Sequence, residues 1–326
     1  MVGDAVIVEP KAGEVRIDVA YTGICGTDLH ILHGAMDHRV TLPAVIGHEM
    51  SGRIADIGPG VSGWAIGDPV TVMPLRWCGT CPACDRGFAH ICQRLNFMGI
   101  DSTGSMQSSW VVPASNLVRL PADLPLRTAA LVEPAAVAVH DVRRGGVQPG
   151  EKVAVIGGGP VGLLVALVAS AAGADVTVLE PDDRRRSVAA SLGIKVLDPT
   201  GDVVAATEEW TNGAGVEVAF EVSGAAAGVT TAVQLLAVRG RLVLVGIHSA
   251  PREVDLFRIF WRELTLIGAR VYEPGDFDTA VQLLSTGQIP AEALISHVTP
   301  LDNAAEAFAI LERGGAMKVL IDCQPA

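Results

Sequence analysis

The chain contains 326 residues, 49% of them hydrophobic and 18% charged, and its formal net charge is −12 at pH 7. The negative charge argues against nucleic acid or an anionic membrane surface as a partner, and the apolar runs are too short or too rich in Ala and Gly to span a membrane. Length and apolar content are sufficient for two domain cores, so the composition predicts a soluble protein of two domains.

Up to about residue 121 the sequence has the pattern of a strand-rich domain. Short apolar stretches, among them 15–19, 70–72 and 110–112, are separated by clusters of Gly and Pro. Such clusters are typical of tight turns between β-strands. Asp4 and Glu9 interrupt the apolar run at the N-terminus, and no positively charged segment precedes it. We therefore expect no signal peptide and a cytoplasmic location.

A candidate metal site begins within this strand-rich part. Cys25 lies in a turn-like run with glycines and polar groups, and His48 lies between Gly47 and Glu49. Glu133 is placed in an apolar run, where a buried carboxylate is costly unless a cation neutralises it. A Cys, a His and a Glu around zinc leave a fourth position for water or substrate. Single Cys and His residues are usually structural, so the spacing alone leaves both interpretations open.

Four further cysteines follow the pattern CxxCxxCx7C, namely Cys78, Cys81, Cys84 and Cys92. Short cysteine spacings allow one segment of backbone to surround a structural zinc ion with four thiolates. The loop has few large apolar residues, so burial alone would hardly order it. Two disulfides or four unrelated buried thiols are the alternatives, and the expected reducing cytoplasm favours zinc over disulfides.

From about residue 129 to 267 apolar strands alternate with Ala- and Leu-rich helices. We predict strands at 153–156, 175–179, 216–222 and 241–245, with helices at 161–172 and 184–192. This alternation indicates a parallel sheet covered by helices on both faces. Helices at 276–285 and 302–312 and a strand at 317–321 are predicted after residue 272.

The first strand of this alternating part runs directly into a GxGxxG turn, which predicts a dinucleotide site. Gly157 permits the tight turn, Gly159 lets a pyrophosphate approach the backbone, and Gly162 lets the following helix pack closely. The remaining candidate contacts in the turn are Pro160 and Val161.

Glu180 lies 18 residues past the last glycine of this turn, where a carboxylate can accept both adenosine ribose hydroxyls. Because a carboxylate repels a 2′-phosphate, NAD is preferred over NADP. The basic run 184–186 complicates this preference, and we include Arg185 among the candidate cofactor-binding residues. The alternative is that this run is the solvated first turn of a helix.

Several motifs together resemble the zinc-dependent medium-chain alcohol dehydrogenases, and within them the polyol, butanediol and threonine dehydrogenase branch. They occur in chain order at 23–30, 47–49, 78–92, 133–140 and 157–162. The resemblance implies an α/β protein with a GroES-like, partly open β-barrel catalytic domain formed by residues 1–137 and 272–326. A Rossmann domain with a doubly wound parallel sheet would comprise residues 138–271. Family members form homodimers or homotetramers, and the sequence fits either.

The same resemblance assigns roles to single residues. Cys25, His48 and Glu133 would hold the catalytic zinc, and Glu49 would be able to enter or leave its coordination shell. The family often has a cysteine at the position of Glu133, whereas its polyol-type members use an acid. Thr27 and His30 resemble a proton relay; the alternative for His30 is a surface histidine. Asp28 resembles a carboxylate that orients the histidine ligand.

Further cofactor contacts are implied by resemblance alone, and each could instead be an ordinary strand end. They are Val222, Ser223, Val245, Gly246, Ile247 and Arg270. The leading interpretation is a zinc-dependent oxidoreductase that transfers a hydride between a small secondary alcohol and NAD, with two zinc ions per chain. The alcohol would be a polyol, a vicinal diol or an amino alcohol. The alternatives are a zinc-free quinone reductase and a catalytically impaired dinucleotide-binding protein of the same fold.

Overall fold

The computed structural model describes residue 3, residues 7–314 and residues 316–324. Asp4, which enters the signal-peptide prediction, and the outermost residues of the predicted catalytic domain lie outside this part. The chain divides into two compact units, the first formed by Met1–Pro134 with Glu273–Ala326 and the second by Ala135–Tyr272. No helix within the described residues is both long and apolar enough to cross a bilayer.

The strands of the described residues, in chain order, are β1 (Glu14–Gly23), β2 (Glu49–Ile57), β3 (Pro69–Val72), β4 (Leu75–Arg76), β5 (Asn96–Phe97), β6 (Ser109–Pro113), β7 (Leu117–Arg119), β8 (Lys152–Ile156), β9 (Asp175–Leu179), β10 (Lys195–Leu197), β11 (Val216–Glu221), β12 (Leu236–Leu244), β13 (Thr265–Gly268), β14 (Ile295–Pro300) and β15 (Lys318–Asp322).

The α-helices are α1 (Gly26–Leu32), α2 (Pro82–Asp85), α3 (Leu126–Ala129), α4 (Val132–Gly145), α5 (Pro160–Ala171), α6 (Asp183–Ser191), α7 (Val203–Thr211), α8 (Ala226–Leu235), α9 (Leu256–Arg262), α10 (Pro274–Ser285), α11 (Ala291–Leu294) and α12 (Ala304–Glu312). Single 3₁₀ turns are found at Ala89–Ile91, Ala114–Asn116 and Leu301–Asn303.

The first unit is built on a seven-stranded sheet with the order β14-β15-β1-β2-β3-β7, in which β6 also pairs with β1. One edge of β1 pairs with β2, while its other edge pairs first with β6 and then with β15. Val15, Ile17 and Val19 alternate along β1 and are fully buried, as expected for a strand that packs one face on a core. This long central strand ends at Gly23, just before the first candidate zinc ligand.

The second unit contains a six-stranded, all-parallel sheet with the order β10-β9-β8-β11-β12-β13. The predicted parallel sheet is therefore confirmed, and the four predicted strands correspond to β8, β9, β11 and β12. The strand order reverses between β8 and β11, and ligands of open parallel sheets bind beside the carboxyl ends of strands at such a reversal. Eight residues of α5 are buried, so this helix is apolar on most sides and packs deeply on the sheet.

Asp175, the first residue of β9, is hydrogen-bonded to three side chains of the second unit. Its carboxylate accepts hydrogen bonds from Lys152 Nζ, from Lys195 Nζ at 3.2 Å and from Trp210 Nε1 at 3.0 Å. Burial alone would raise the pKa of Asp175, but the hydrogen bonds from Lys152, Trp210 and Lys195 outweigh it and lower the pKa to about 2. The folded state therefore favours the ionised carboxylate.

Asp175→Asn is expected to lower the unfolding free energy at pH 7 by about 1 kcal/mol, a value that allows for solvent screening of a side chain that is one-third exposed. A lowered pKa stabilises the fold above the unfolded-state pKa of about 3.9, and this contribution is lost as the pH falls toward 2. Urea unfolding between pH 7 and pH 3 should show the difference from wild type shrinking. A difference that is constant with pH would contradict this assignment; Asp123→Asn, at an exposed site, is the control.

Candidate active site

The structure brings Cys25, His48 and Glu49 together, with one ligand atom of each within 4.8 Å of the others. Cys25 lies between β1 and α1, and its backbone is extended at the first position before the helix. His48 precedes β2, and Glu49 begins that strand opposite Gly23 in the β1–β2 register. The pairing of these two strands therefore places a thiol, an imidazole and a carboxylate side by side.

His48 is nearly fully buried, and its ring packs edge-on against Phe97 with 5.1 Å between ring centres. Its Nδ1 atom lies 3.8 Å from Oδ1 of Asp28, and within the described residues neither atom has a hydrogen-bond partner. Oδ2 of Asp28 accepts a hydrogen bond from the backbone N–H of Cys25 at 2.8 Å. Asp28 is thus adjacent to two candidate ligands, as expected for a residue that orients them.

The negatively charged groups around His48 raise the pKa of its imidazole. Burial alone would lower the pKa, but the charge of Asp28 and the hydrogen bond and charge of Cys25 outweigh it and raise the pKa well above its ordinary value. The pocket therefore favours a cation near the imidazole. A thiolate, an imidazole and carboxylates form a donor set that suits zinc, so these residues fit the ion that the resemblance implies.

Lys318 is a member of this site that the sequence analysis missed. Its buried Nζ lies 2.6 and 2.8 Å from the two carboxylate oxygens of Glu49, and it donates to the carbonyl of Ile24 at 3.2 Å. Burial alone would lower the pKa of Lys318, but the charge of Glu49 outweighs it and raises the pKa. The only feature of the sequence that could have indicated this role is a lysine near the start of the apolar strand predicted at 317–321.

Glu133, the other candidate oxygen ligand, lies in the first turn of α4 and is 4% exposed. Its charge contributes to the raised pKa values of His48 and Lys318, so the carboxylate faces the same charged cluster. It is not a member of the group whose ligand atoms lie within 4.8 Å of one another. Its role as a ligand therefore stays a prediction.

Thr27 and His30 lie three residues apart in α1, on one face of the helix. Thr27 is half-buried, whereas His30 is exposed. A hydroxyl two residues past Cys25 and an exposed imidazole are suitable ends for a proton path. The relay that connects them stays a prediction.

The four cysteines of the predicted structural site also come together. Their sulfur atoms lie within 4.8 Å of one another, and neighbouring sulfurs are 3.5 to 3.8 Å apart. Four sulfurs at about 2.3 Å from a central zinc would be about 3.8 Å apart, so the spacing fits the ion. All four cysteines are free thiols rather than disulfides. The backbone N–H of Thr80 is the main cause that lowers the pKa of Cys78, to about 6, which favours the thiolate that binds metal.

The GxGxxG turn adopts the geometry that its glycines predict. Gly157 has a φ of 103°, and a Cβ atom on Gly162 would lie 1.9 Å from the carbonyl oxygen of Gly157. Gly159 precedes α5, whose first residues are Pro160 and Val161. The N-terminus of this twelve-residue helix follows the turn directly, as in pyrophosphate-binding turns.

Glu180 follows β9 and is bound to the backbone of the same region. It accepts hydrogen bonds from the N–H groups of Gly158 at 2.7 Å and Asp182 at 2.9 Å. Nη1 of Arg185 lies 4.0 Å from the Glu180 carboxylate. Arg186 instead donates to the carbonyl of Glu180 and pairs with Asp183 and Asp198.

The other candidate cofactor residues lie beyond the ends of three strands. Val222 and Ser223 follow β11, whereas Val245, Gly246 and Ile247 follow β12. Arg270 follows β13, the last strand of the sheet order. The first two groups adjoin each other, because the N–H groups of Val245 and Gly246 both donate to the carbonyl of Glu221 at the end of β11.

Comparison with known proteins gives two family matches. Residues 11–122 match the alcohol dehydrogenase GroES-like domain, and residues 160–286 match the zinc-binding dehydrogenase domain. The chain is 51% identical to the 2-dehydro-3-deoxy-L-galactonate 5-dehydrogenase of Pseudoalteromonas atlantica, over 97% of this chain and 93% of that protein. It is 33% identical to a sorbitol dehydrogenase of Halalkalibacterium halodurans, over 96% and 93% of the two chains.

Solved structures agree with the sequence relatives. The 2R,3R-butanediol dehydrogenase of Bacillus subtilis superposes with a TM-score of 0.91 at 32% identity, covering 100% of this chain and 96% of that one. A zinc-binding dehydrogenase of Sinorhizobium meliloti bound to NADP gives a TM-score of 0.92 at 32% identity, covering 98% and 94%. The predicted fold class is thereby confirmed.

The predicted reaction is confirmed at the level of its class. The chain is an oxidoreductase that acts on the CH–OH group of small secondary alcohols, with zinc and a nicotinamide dinucleotide as cofactors. The two alternatives, a zinc-free quinone reductase and an impaired relative, are not favoured. The chain belongs to the zinc-dependent medium-chain alcohol dehydrogenase family, in its polyol- and threonine-dehydrogenase-like branch.

Proposed function

We propose that the protein oxidises the C5 hydroxyl of a six-carbon sugar acid of the 2-dehydro-3-deoxy-galactonate type. The observation that carries this proposal is the 51% identity, over 97% of the chain, to a 2-dehydro-3-deoxy-L-galactonate 5-dehydrogenase. An L-galactonate-5-dehydrogenase of Escherichia coli, 33% identical over 92% of the chain, supports the same carbon and the same class of acid. The proposed substrate is therefore a polyol that also carries a carboxylate.

We assign the catalytic zinc to Cys25, His48 and Glu133. Glu49 already has Lys318 as a counter-ion, so we give it an exchanging role in the coordination shell rather than a fixed one. When bound, zinc acts as a Lewis acid that lowers the pKa of the substrate hydroxyl. Thr27 would take up the released proton while its own hydroxyl proton moves on toward His30, and the His30 imidazole would deliver a proton to water.

We assign the dinucleotide to the second domain, residues 138–271, and zinc and alcohol to the catalytic domain, residues 1–137 and 272–326. Residues of the GxGxxG turn would hold the pyrophosphate by backbone N–H groups. We assign the nicotinamide half to Val245, Gly246, Ile247 and Arg270, and the adenosine half to the turn that contains Val222 and Ser223. When bound there, the dinucleotide would supply the acceptor for the hydride of the alcohol carbon.

NAD is the proposed physiological cofactor. The carboxylate of Glu180 is held beside the glycine turn by Gly158 and Asp182, where it would repel a 2′-phosphate and accept ribose hydroxyls. Arg186 is engaged with neighbouring acidic groups and the backbone, and we assign the contact with the cofactor phosphates to Arg185, whose Nη1 lies 4.0 Å from the Glu180 carboxylate. The six free cysteines suit the reducing cytoplasm that we propose as the location.

A substrate screen tests this proposal directly. With NAD and zinc-loaded enzyme, kcat/KM for 2-dehydro-3-deoxy-L-galactonate should exceed those for sorbitol and 2R,3R-butanediol by about 100-fold, because a site built to bind a carboxylate rejects analogues that lack it. L-Threonine, which has a carboxylate on a shorter chain, should also be a poorer substrate. Absorbance of the reduced nicotinamide gives the rates, and replacing NAD by NADP should lower them. Equal or higher rates with the uncharged polyols would refute the sugar-acid assignment.

We propose a homodimer or homotetramer formed through the second unit. No residue of α9 is buried, and Leu256, Phe257, Phe260 and Trp261 are all 70% exposed or more. The next strand, β13, is the last in its sheet and leaves one edge unpaired within the described residues. An exposed apolar helix beside an open strand edge supports pairing with a second copy about a two-fold axis.

Trp261→Glu is expected to dissociate the oligomer, because a charge would have to be buried at the centre of the paired surface. Light scattering during size-exclusion chromatography should show a mass near that of one chain, 33.9 kDa, for the variant. Ile66→Glu, at a residue 69% exposed in the first unit, is the control and should retain the wild-type mass. A monomeric wild-type protein would disprove the proposal.

A further inference from the structure

A buried carboxylate connects the loops after β11 and β12, to which we assign contacts with the two halves of the cofactor. Glu221 ends β11 and is fully buried. One carboxylate oxygen accepts from Ser223 Oγ at 2.5 Å and from the Gly224 N–H at 3.0 Å. The other lies 2.9 Å from Nε2 of His248, in the loop after β12. We call Glu221, Ser223 and His248 the Glu221 clasp.

The glycines around the Glu221 clasp pack so closely on it that none of them has room for a side chain. A Cβ atom on Gly246 would lie 2.7 Å from one carboxylate oxygen of Glu221, and a Cβ on Gly228 would lie 2.6 Å from the other. A Cβ on Gly157 would lie 3.0 Å from the backbone nitrogen of Ser223. The clasp therefore packs directly against the GxGxxG turn, at the reversal of strand order between β8 and β11.

The hydrogen bonds around His248 define which of its ring nitrogens carries the proton. Nε of Arg252 donates to Nδ1 of His248 at 3.3 Å. A neutral imidazole that accepts at Nδ1 must carry its proton at Nε2, so His248 donates to Glu221. A fully buried carboxylate that loses a hydrogen-bond donor is strongly destabilised. Without His248, the surrounding loops would have to rearrange to offer Glu221 another donor.

We propose that His248 is a positioning residue for the dinucleotide. Its Nε2–H holds the Glu221 carboxylate, which in turn fixes Ser223 and Gly224 on one loop, while the carbonyl of Glu221 fixes Val245 and Gly246 on the other. Cofactor affinity then depends on this hydrogen bond, even where His248 does not touch the cofactor. The inference rests on the proposed assignment of these loops to the cofactor.

The test compares two replacements of His248. His248→Leu removes the donor, whereas His248→Gln can place an amide N–H near the position of Nε2. We expect the Kd for NADH, measured by fluorescence titration without alcohol, to rise about tenfold in His248→Leu and to return within about threefold of wild type in His248→Gln. The KM for NAD should rise in parallel with little change in kcat, since uniform binding is lost.

Ser249→Ala, at an exposed residue of the same loop, is the matched control and should bind NADH as wild type does. A wild-type Kd in His248→Leu would overturn the inference, as would a Gln variant that is folded yet as weak as the Leu variant. If His248→Leu fails to fold, Arg252→Leu takes its place. This substitution removes the donor to Nδ1 of His248, so the ring proton is no longer held at Nε2, and NADH binding must weaken. Wild-type protein that binds neither NADH nor NADPH would instead overturn the proposed assignment of the second unit together with this inference.

Discussion

Cys25→Ser is expected to lower kcat/KM by about 10³-fold or more while the Kd for NADH stays within about twofold of wild type. Replacing the sulfur by a hydroxyl removes the soft anionic donor of the cluster, and the Lewis-acid contribution of the metal is worth several kcal/mol. The cysteine lies in the first unit and the candidate dinucleotide residues lie in the second. The measurements are steady-state rates, NADH titration and zinc content. The zinc content is expected to fall from two ions to one per chain.

Cys323→Ser is the matched control for this variant, because it makes the same chemical change at a cysteine outside both clusters. Burial raises the pKa of Cys323 to about 12, so this thiol is inert near neutral pH. The control should retain two zinc ions and near-normal kcat/KM. Turnover in Cys25→Ser at the wild-type rate would show that the cluster of Cys25, His48 and Glu49 is not the catalytic metal site.

Cys81→Ala is expected to unfold the segment between β4 and β5 and to lower the apparent Tm by about 10 °C or more. In small zinc-binding peptides the metal contributes about 10 kcal/mol or more to folding, and this segment has few apolar residues to replace it. Its base is the two-stranded pair of β4 with β5, where Leu75 faces Phe97. Calorimetry and limited proteolysis between residues 77 and 95 should detect the change.

The effect of Cys81→Ala should extend to the catalytic cluster, since Phe97 at the base of the cysteine segment packs against the His48 ring. We therefore expect weaker retention of the second zinc ion and reduced kcat. Wild-type protein treated with a strong chelator should show the same protease sensitivity. A Cys81→Ala protein as protease-resistant and thermally stable as wild type would rule out a structural metal at this site.

Features with short sequence separation could be predicted before the structure was known. The cysteine pattern, the GxGxxG turn and the strands β8, β9 and β11 each depend on neighbours along the chain, so spacing and periodicity are sufficient. Cys25 and His48 could each be predicted from a local motif. They come together because β2 pairs antiparallel with β1, so that the end of β1 lies beside the start of β2.

Contacts between residues that are remote in sequence could not be predicted. Lys318 and Glu49 are 269 residues apart in sequence, and the pairing of β15 with β1 brings the two side chains together. His248 and Glu221 are 27 residues apart and on different strand ends, where no periodic pattern relates them. Glu133 was found from the cost of burying its charge, but its distance from the other ligands depends on packing that sequence does not encode locally.

The pairing of β1 with β15 also constrains the order in which the molecule is assembled. Tyr21, Thr22 and Gly23 pair with residues 320–322, almost at the opposite end of the chain. During synthesis the second unit, a continuous segment, can fold while the edge of β1 that will receive the last strand is still open. The cluster beside Gly23 gains Lys318 only after β15 has been synthesised, so Glu49 lacks this counter-ion until the whole second unit has been made.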